Sequence, residues 1–289
     1  MTTTIELPGG TWTLGDRTVS RFGYGAMQLT GPWVVGPPED HDAAIAVLLA
    51  AVDSGITHID TAETYGPRVV NELIREALHP YASELFVATK AGGRRDAQGG
   101  WPAARKPDEL KAQIDDNLET LGVDALDLVH LRLGDANGPV PEQIGEAFET
   151  LVGLQQQGLI RHLGVSNATA EQVAQAQSIA PIISVQNMYN LANRWDDALV
   201  DRLADEGIAY IPFFPLGGFT PLQSGALSSV AARLGASSMS VALAWLLHRS
   251  PNILLIPGTS SAAHLRENID GAALALSDDD LTELDQITA

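Results

Sequence analysis

The chain has 289 residues, of which 45% are hydrophobic and 18% are charged, a composition typical of a folded globular protein rather than a disordered one. Its formal net charge of −19 argues against nucleic acid and anionic membranes as partners, because both would repel it. The absence of cysteine excludes disulfide bonds and thiol chemistry.

The opening residues, MTTTIELPGG, have neither the basic segment nor the apolar stretch of a signal peptide. No apolar run approaches the roughly 20 residues that a membrane-spanning helix needs. We therefore expect a cytoplasmic protein, a monomer or a small homo-oligomer, whose partner is a small molecule and not nucleic acid or a membrane.

In chain order, residues 5–20 resemble a β-hairpin with its turn at Pro8-Gly9-Gly10. Alternating strands and helices follow, predicted from apolar periodicity and from caps such as Thr169, Ser277 and Gly122. The predicted strands are 22–26, 57–60, 85–90, 125–131, 160–165, 182–186, 209–213 and 253–256. The predicted helices are 42–54, 69–78, 107–121, 141–157, 170–179, 196–206, 222–235, 240–248, 264–274 and 278–287.

Eight strands separated by helices indicate a parallel sheet, and the chain length is close to the roughly 250 residues of a (β/α)8 barrel. We therefore predict an α/β fold of the (β/α)8 TIM-barrel type with an N-terminal hairpin and extra C-terminal helices, as one domain over residues 1–289. The first strand is not followed by a G-x-G-x-x-G turn and a helix, so a dinucleotide-binding Rossmann domain is excluded.

Polar side chains stand at the ends of successive predicted strands, where a (β/α)8 barrel has its active site. The first of them are Asp60, with Tyr65 just beyond, then Lys90 and His130. Each alone could be a hydrogen-bonded core residue. Burying all of them in one barrel mouth is costly, so the set predicts a catalytic site.

The residue types indicate acid–base chemistry on a carbonyl group. A lysine ammonium near Tyr65 would lower the pKa of the phenol from about 10, and Asp60 would keep Lys90 charged, so that Tyr65 could act as a general acid. His130 could orient a substrate oxygen. We find no activated serine nucleophile and no metal-ligand spacing, so we expect hydride transfer from a nicotinamide or flavin cofactor.

Asp60, Tyr65, Lys90 and His130, with these spacings, resemble the catalytic tetrad of the aldo-keto reductase superfamily. The resemblance implies that Tyr65 is the proton donor, that Lys90 and Asp60 adjust it, and that His130 orients the carbonyl. It implies a nicotinamide site formed by Ser166, Asn167 and Gln186 at the carboxamide, Phe213 on the ring, and Pro215, Leu216 and Gly217 at the pyrophosphate.

Residues 256–268, IPGTSSAAHLREN, resemble the segment that binds the adenosine phosphate in this family. Gly258 and His264 stand where many NADPH-dependent members have lysine and arginine, which weakens a 2′-phosphate site. NADP(H) is favoured and NAD(H) is possible. The residues expected at the cofactor are Gly258, Thr259, Ser260, Ser261, His264, Glu267 and Asn268.

Four segments, including GYGAMQLTGP and YIPFFPLGGFTPLQS, closely resemble the bacterial members of the family that reduce pyridoxal to pyridoxine. The expected pocket walls are Met27, Trp33, Trp101 and Phe214, with Phe219 nearby. Two enzymatic alternatives stay open: a broad aldehyde or ketone reductase, and a sugar or natural-product dehydrogenase. Two further alternatives are a nicotinamide-binding regulatory subunit, resembling potassium-channel β subunits, and a flavin-containing barrel.

Overall fold

A computed structural model describes residues 6–96, 99–135, 138–215 and 224–287. The chain opens with an antiparallel hairpin of β1 (Thr11–Leu14) and β2 (Arg17–Ser20). The prediction of a hairpin was right, but its turn lies at Gly15 and Asp16 and not at Pro8-Gly9-Gly10, which precedes β1. Gly15 adopts the left-handed φ of 62° that this turn requires.

A seven-stranded parallel sheet pairs its strands in chain order. Its strands are β3 (Tyr24–Gly25), β4 (His58–Asp60), β5 (Phe86–Ala91), β6 (Leu126–Arg132), β7 (Ile160–Ser166), β8 (Ser184–Gln186) and β9 (Ala209–Tyr210). The eighth predicted strand, 253–256, forms single bridges to both edges, from Ile253 to Tyr210 and from Leu255 to Phe22. These bridges close the ring, and the predicted (β/α)8 barrel is confirmed.

Ten α-helices accompany the strands in the described part of the chain. They are α1 (His41–Asp53), α2 (Val69–Leu78), α3 (Pro107–Leu121), α4 (Gly145–Gln156), α5 (Ala170–Ile179), α6 (Asp197–Asp205), α7 (Gly225–Leu234), α8 (Ser238–Arg249), α9 (Ala262–Ala272) and α10 (Asp278–Leu284). Thr169 and Ser277 cap their helices as predicted, each within a capping box, and Gly122 ends α3 in the left-handed conformation. Helix α4 begins four residues later than predicted, at Gly145.

The hairpin lies at one end of the barrel. Leu14 and Val19 pack against Phe86, Leu128 and Leu254, a small apolar cluster separate from the larger core formed with the helices. The catalytic candidates stand at the C-terminal ends of the strands, so the hairpin leaves that mouth free.

Within the described residues, no single helix has both the length and the apolar character needed to cross a membrane. Helices α7 and α8 reach those limits only when taken together, across a bend of 95°. Most of α8 is buried in the core.

Candidate active site

A buried ion pair stands at the ends of β4 and β5. Lys90 Nζ lies 2.5 Å from Asp60 Oδ1 and donates a second hydrogen bond of 3.0 Å to the carbonyl oxygen of Thr61. The register places Asp60 opposite Ala88, so Lys90 starts two residues further along β5 and reaches back to the carboxylate. The predicted Asp60–Lys90 contact is thus present.

The second oxygen of the carboxylate is also engaged. Gln186 at the end of β8 donates from Nε2 to Asp60 Oδ2 at 2.7 Å across the barrel. Asp60 and Gln186 are both buried. The carboxylate therefore accepts hydrogen bonds from an ammonium and from an amide at once, and these bonds hold the lysine in place.

Tyr65 lies beyond β4 in a turn whose backbone is fixed by hydrogen bonds from Tyr65 N to Ala62 O and from Val70 N to Tyr65 O. Its side chain is 9% exposed. Lys90 Nζ lies 5.2 Å from the centre of the Tyr65 ring, and the Trp101 ring meets it edge-on with 6.4 Å between centroids. The phenol therefore stands beside the ammonium at the barrel mouth.

Opposing influences set the pKa of Tyr65. Burial is the largest and raises it; the positive charge of Lys90 lowers it, and the net result lies above the ordinary value. The expected effect of the lysine is present, but it does not outweigh burial in this structure. Burial lowers the pKa of Lys90, but Asp60 and Tyr65 raise it by more, so the net pKa lies above the ordinary value and the ammonium stays charged.

His130 lies two residues before the end of β6. Its side chain is fully buried inside the barrel, and Nε2 lies 2.9 Å from Ser184 Oγ. A Cβ atom added to the neighbouring Gly164 would come within 2.7 Å of the imidazole, so the ring is tightly enclosed. Burial lowers the pKa of His130 to about 3, which leaves it neutral. Its position does not support a direct contact with a substrate oxygen.

Arg132 at the end of β6 was missed by the sequence reasoning. It stands two residues beyond His130 and is partly exposed. Its positive charge is one of the influences that lower the pKa of Tyr65. The alternation of side chains along a strand was the available signal, since it puts residues 130 and 132 on one face with 132 nearer the mouth.

The residues predicted at the nicotinamide carboxamide lie together. Ser166 pairs in register with Gln186, and Asn167 follows directly with a left-handed φ of 57°. Asn167 Nδ2 donates to the carbonyl oxygens of Leu133, Asp135 and Gly138, so this amide nitrogen organises the loop after β6.

An aromatic pair follows β9. The rings of Phe213 and Phe214 are perpendicular with 5.2 Å between centroids, and both are half-buried. Phe213 bridges to Met188 and Asn190 donates to the carbonyl of Phe214, so the backbone continues along β8 beyond the strand. Pro215 is the last described residue before the gap at 216–223. Leu216 and Gly217, predicted at the pyrophosphate, and Phe219 lie outside the described residues.

The predicted adenosine segment runs from the closing strand into α9. Ser261 caps this helix by accepting a hydrogen bond from His264 N, and the carbonyl of Thr259 accepts a 2.5 Å bond from the Tyr24 hydroxyl. His264 and Glu267 are exposed on α9, and Asn268 is half-buried. A Cβ at Gly258 would lie 2.7 Å from the carbonyl oxygen of Gly25. Glycine is therefore required here for backbone packing.

The predicted pocket walls divide into two groups. Trp101 contacts Tyr65, and Arg95 stacks on the Trp101 ring at 4.0 Å. Trp33 is 81% exposed, with its carbonyl bound by Arg95 at 2.8 Å. A cleft of about 440 Å³ next to it is lined by residues including Met27, Gln28, Trp33, Glu39 and Ser260. Arg95 thus joins the loop of Trp33 to that of Trp101.

A closed parallel barrel with a phenol, a lysine and a paired carboxylate at its C-terminal mouth defines an enzyme of the acid–base class. The set suits donation of a proton to an oxygen that gains negative charge. Comparison with known proteins gives the family.

The sequence model of the Aldo/keto reductase family matches residues 21–289. The chain is 56% identical over 284 residues to pyridoxine 4-dehydrogenase of Escherichia coli strain K12, covering 98% of this chain and 99% of that protein. A thermostable aldo-keto reductase, solved with the inhibitor epalrestat, superimposes with a TM-score of 0.79 at 28% identity, over 95% of this chain and 98% of that one. An aldo/keto reductase from Klebsiella pneumoniae in complex with NADP and acetate gives 0.75 at 24% identity, over 96% and 94%.

This chain belongs to the aldo/keto reductase family, and it is an oxidoreductase. The family resemblance seen in the sequence is confirmed.

Proposed function

We propose that the protein is an NADP(H)-dependent carbonyl reductase that reduces pyridoxal to pyridoxine, with Tyr65 as the proton donor. The observation that carries the reaction is the position of Tyr65 beside Lys90, whose ammonium is held by Asp60 at 2.5 Å. The choice of substrate is supported by the 56% identity to the pyridoxine 4-dehydrogenase of E. coli over nearly the whole chain.

In the proposed reaction the carbonyl oxygen lies against the Tyr65 hydroxyl. Bound reduced nicotinamide supplies the hydride, which goes to the carbonyl carbon. Tyr65 gives its phenolic proton to the oxygen, so the product is an alcohol. Lys90 stabilises the phenolate that Tyr65 leaves, and Asp60 with Gln186 keeps Lys90 from moving away. In the reverse direction the phenolate accepts the proton of the alcohol.

The residues at the mouth fit a nicotinamide dinucleotide. Phe213 offers a half-buried aromatic face, and Ser166 stands in register beside Gln186. The first turn of α9 offers backbone N–H groups with the hydroxyl of Ser260 just before it, a setting that suits phosphate. We propose contacts there from Gly258, Thr259, Ser260, Ser261, His264, Glu267 and Asn268, and contacts to the pyrophosphate from Pro215, Leu216 and Gly217.

The preference for NADP(H) needs a cation for the 2′-phosphate. Arg266 is exposed on α9 itself and is the candidate that the fold brings to this end. Lys106 begins α3, which packs between α2 and α4, whereas α9 packs on α1 and α8. We therefore assign the phosphate to Arg266. A K. pneumoniae aldo/keto reductase of the same fold holds NADP, which supports NADP(H) as the cofactor.

Absorbance of the reduced nicotinamide, followed with pyridoxal and with NADPH and NADH in parallel, tests the proposal. Oxidation of NADPH that depends on pyridoxal and is much faster than that of NADH is the expected result. Faster oxidation of NADH would overturn the assignment of NADP(H) as the cofactor. No oxidation of either nucleotide would overturn the assignment of pyridoxal as the substrate. We also propose the cytoplasm as its compartment and a monomer or small homo-oligomer as its assembly, which fractionation and sedimentation test.

A further inference from the structure

Two polar side chains of β6 face the barrel interior at different depths. His130 pairs in register with Lys90 on one side and Gly164 on the other, whereas Arg132 pairs with Ser166. Because residues two apart on a strand face the same side, Arg132 stands directly above His130 towards the C-terminal mouth. The layer of Arg132 and Ser166 continues to Gln186, the residue that binds Asp60.

The deeper residue is fully enclosed. His130 is wholly buried, with Nε2 on Ser184 Oγ at 2.9 Å and Gly164 against its ring. A substrate oxygen beside Tyr65 at the mouth would have to displace the Ser184 contact and pass the layer above. His130 is therefore part of the filled barrel interior.

The upper residue has the required position and charge. Arg132 is partly exposed, and its guanidinium donates from Nη1 to Leu133 O at 2.8 Å. A longer contact of 3.5 Å joins Nη2 to Asp135 O. A guanidinium carries five N–H donors in one plane, and the two backbone contacts among the described residues use two of them. Arg105 binds the carbonyl of Arg132 at 3.0 Å and fixes this end of the strand.

We propose that Arg132, and not His130, binds the carbonyl oxygen of the substrate beside Tyr65, and that its planar fork selects aldehydes with an anionic oxygen on the neighbouring ring carbon. This inference rests on the proposed function and names its substrate class. In pyridoxal the aldehyde and an acidic ring hydroxyl stand on adjacent carbons, so their two oxygens match the two-pronged geometry of a guanidinium. Positive charge at this point also stabilises the oxygen as it gains charge during hydride transfer.

The test compares Arg132→Gln and Arg132→Lys with wild type, using pyridoxal and a pair of simpler aldehydes. The pair is salicylaldehyde, with a hydroxyl next to the aldehyde, and its O-methyl ether, which cannot ionise there. Arg161→Gln, an exposed arginine paired at 3.5 Å with Asp127, is the matched control. Tryptophan fluorescence quenching by NADPH measures cofactor binding separately.

For Arg132→Gln we expect kcat/KM for pyridoxal to fall on the order of a hundredfold or more, with unchanged NADPH affinity. The preference of wild type for salicylaldehyde over its ether should disappear. Arg132→Lys should restore part of the rate but little of the preference, because an ammonium is a point charge. If Arg132 had a purely structural role, the substitution would lower kcat/KM equally for salicylaldehyde and for its ether, and the preference would stay intact.

The inference is overturned if Arg132→Gln keeps the wild-type rate and preference, or if His130→Asn loses more kcat than Arg132→Gln does. These outcomes are separate from failure of the proposed function, which is a wild-type enzyme without activity on pyridoxal. Even then, salicylaldehyde and its ether measure the effect of Arg132 on any aldehyde reduction. Circular dichroism of each variant confirms that it is folded.

Discussion

Lys90 Nζ and Asp60 Oδ1 lie 2.5 Å apart at the ends of adjacent strands, and both side chains are almost completely removed from solvent. A buried pair of this kind is weak evidence for stability, because desolvation of two charges offsets most of their attraction. Its position beside Tyr65 gives it a different purpose. The pair fixes a positive charge next to a phenol that must release and recover a proton.

The first prediction removes that charge. Lys90→Met leaves the carboxylate of Asp60 buried and unpaired, and the phenolate of Tyr65 without its ammonium. We expect turnover to fall on the order of a hundredfold and stability to drop by about 3–5 kcal/mol. Lys111→Met, which breaks a surface pair with Asp108 at 3.6 Å, should change neither. Steady-state kinetics and urea unfolding measure both effects; normal turnover in Lys90→Met would contradict the assigned role.

The second prediction concerns acid stability. Burial lowers the pKa of His58 to about 4 and that of His130 to about 3, against about 6.5 in an unfolded chain. Between these pKa values the unfolded chain binds more protons than the folded protein does. The free energy of unfolding therefore falls as pH decreases below about 6.5, by up to about 1.4 kcal/mol per pH unit for each histidine. Above that pH neither residue contributes to the slope.

His130→Asn should therefore show a shallower decline in the free energy of unfolding than wild type between about pH 6.5 and 4.5. Urea unfolding at a series of pH values gives both slopes. Parallel slopes would mean that His130 already carries a proton in the folded protein, against its burial.

The third prediction concerns the backbone packing around Gly258. A Cβ at this position meets the Gly25 carbonyl oxygen at 2.7 Å, so Gly258→Ala should destabilise the fold by about 1–3 kcal/mol. Gly153 inside α4 is the control, because a Cβ added there would have no described atom within 4 Å apart from its chain neighbours and its own helix backbone. Gly153→Ala should stabilise by about 0.5–1 kcal/mol, because alanine is the better helix former. Thermal unfolding checks the pair, and equal shifts would disprove the packing argument.

The fourth prediction concerns the pocket wall. Trp101 contacts Tyr65 edge-on and is stacked by Arg95. Trp101→Ala should raise KM for pyridoxal about tenfold, since it removes aromatic surface from the substrate side of the phenol. Kinetics with acetaldehyde serve as the comparison, because a substrate without a ring should be little affected. An equal loss for both aldehydes would place Trp101 in support of Tyr65 instead.

The strand order and the catalytic pair could be predicted because each depends on local pattern plus one topological rule. Once eight strands alternate with helices, Asp60 and Lys90 must meet at one end of the barrel. The hairpin turn could not be chosen in the same way. Two glycine-containing turns compete in residues 5–20, and the packing of Leu14 and Val19 against the barrel interior favours the second.

Alternation along β6 predicts that His130 and Arg132 share one face with Arg132 nearer the mouth, but it does not predict which of them reaches the level of Tyr65. Both residues are polar and share one face of β6, and their depth depends on how neighbouring strands are staggered. The requirement for glycine at 258 likewise comes from the carbonyl of Gly25, a residue far away in the chain. Local periodicity predicts neither the stagger of neighbouring strands nor contacts between residues far apart in the chain.

The proton donor is the central claim, and Tyr65→Phe tests it most directly. Tyr81→Phe is the matched control, because its hydroxyl donates to Leu121 O at 2.7 Å on the helical layer, outside the site. With pyridoxal and NADPH, we expect Tyr65→Phe to lose on the order of a hundredfold or more in turnover at unchanged NADPH affinity, while Tyr81→Phe keeps its rate. Wild-type turnover in Tyr65→Phe would contradict the mechanism.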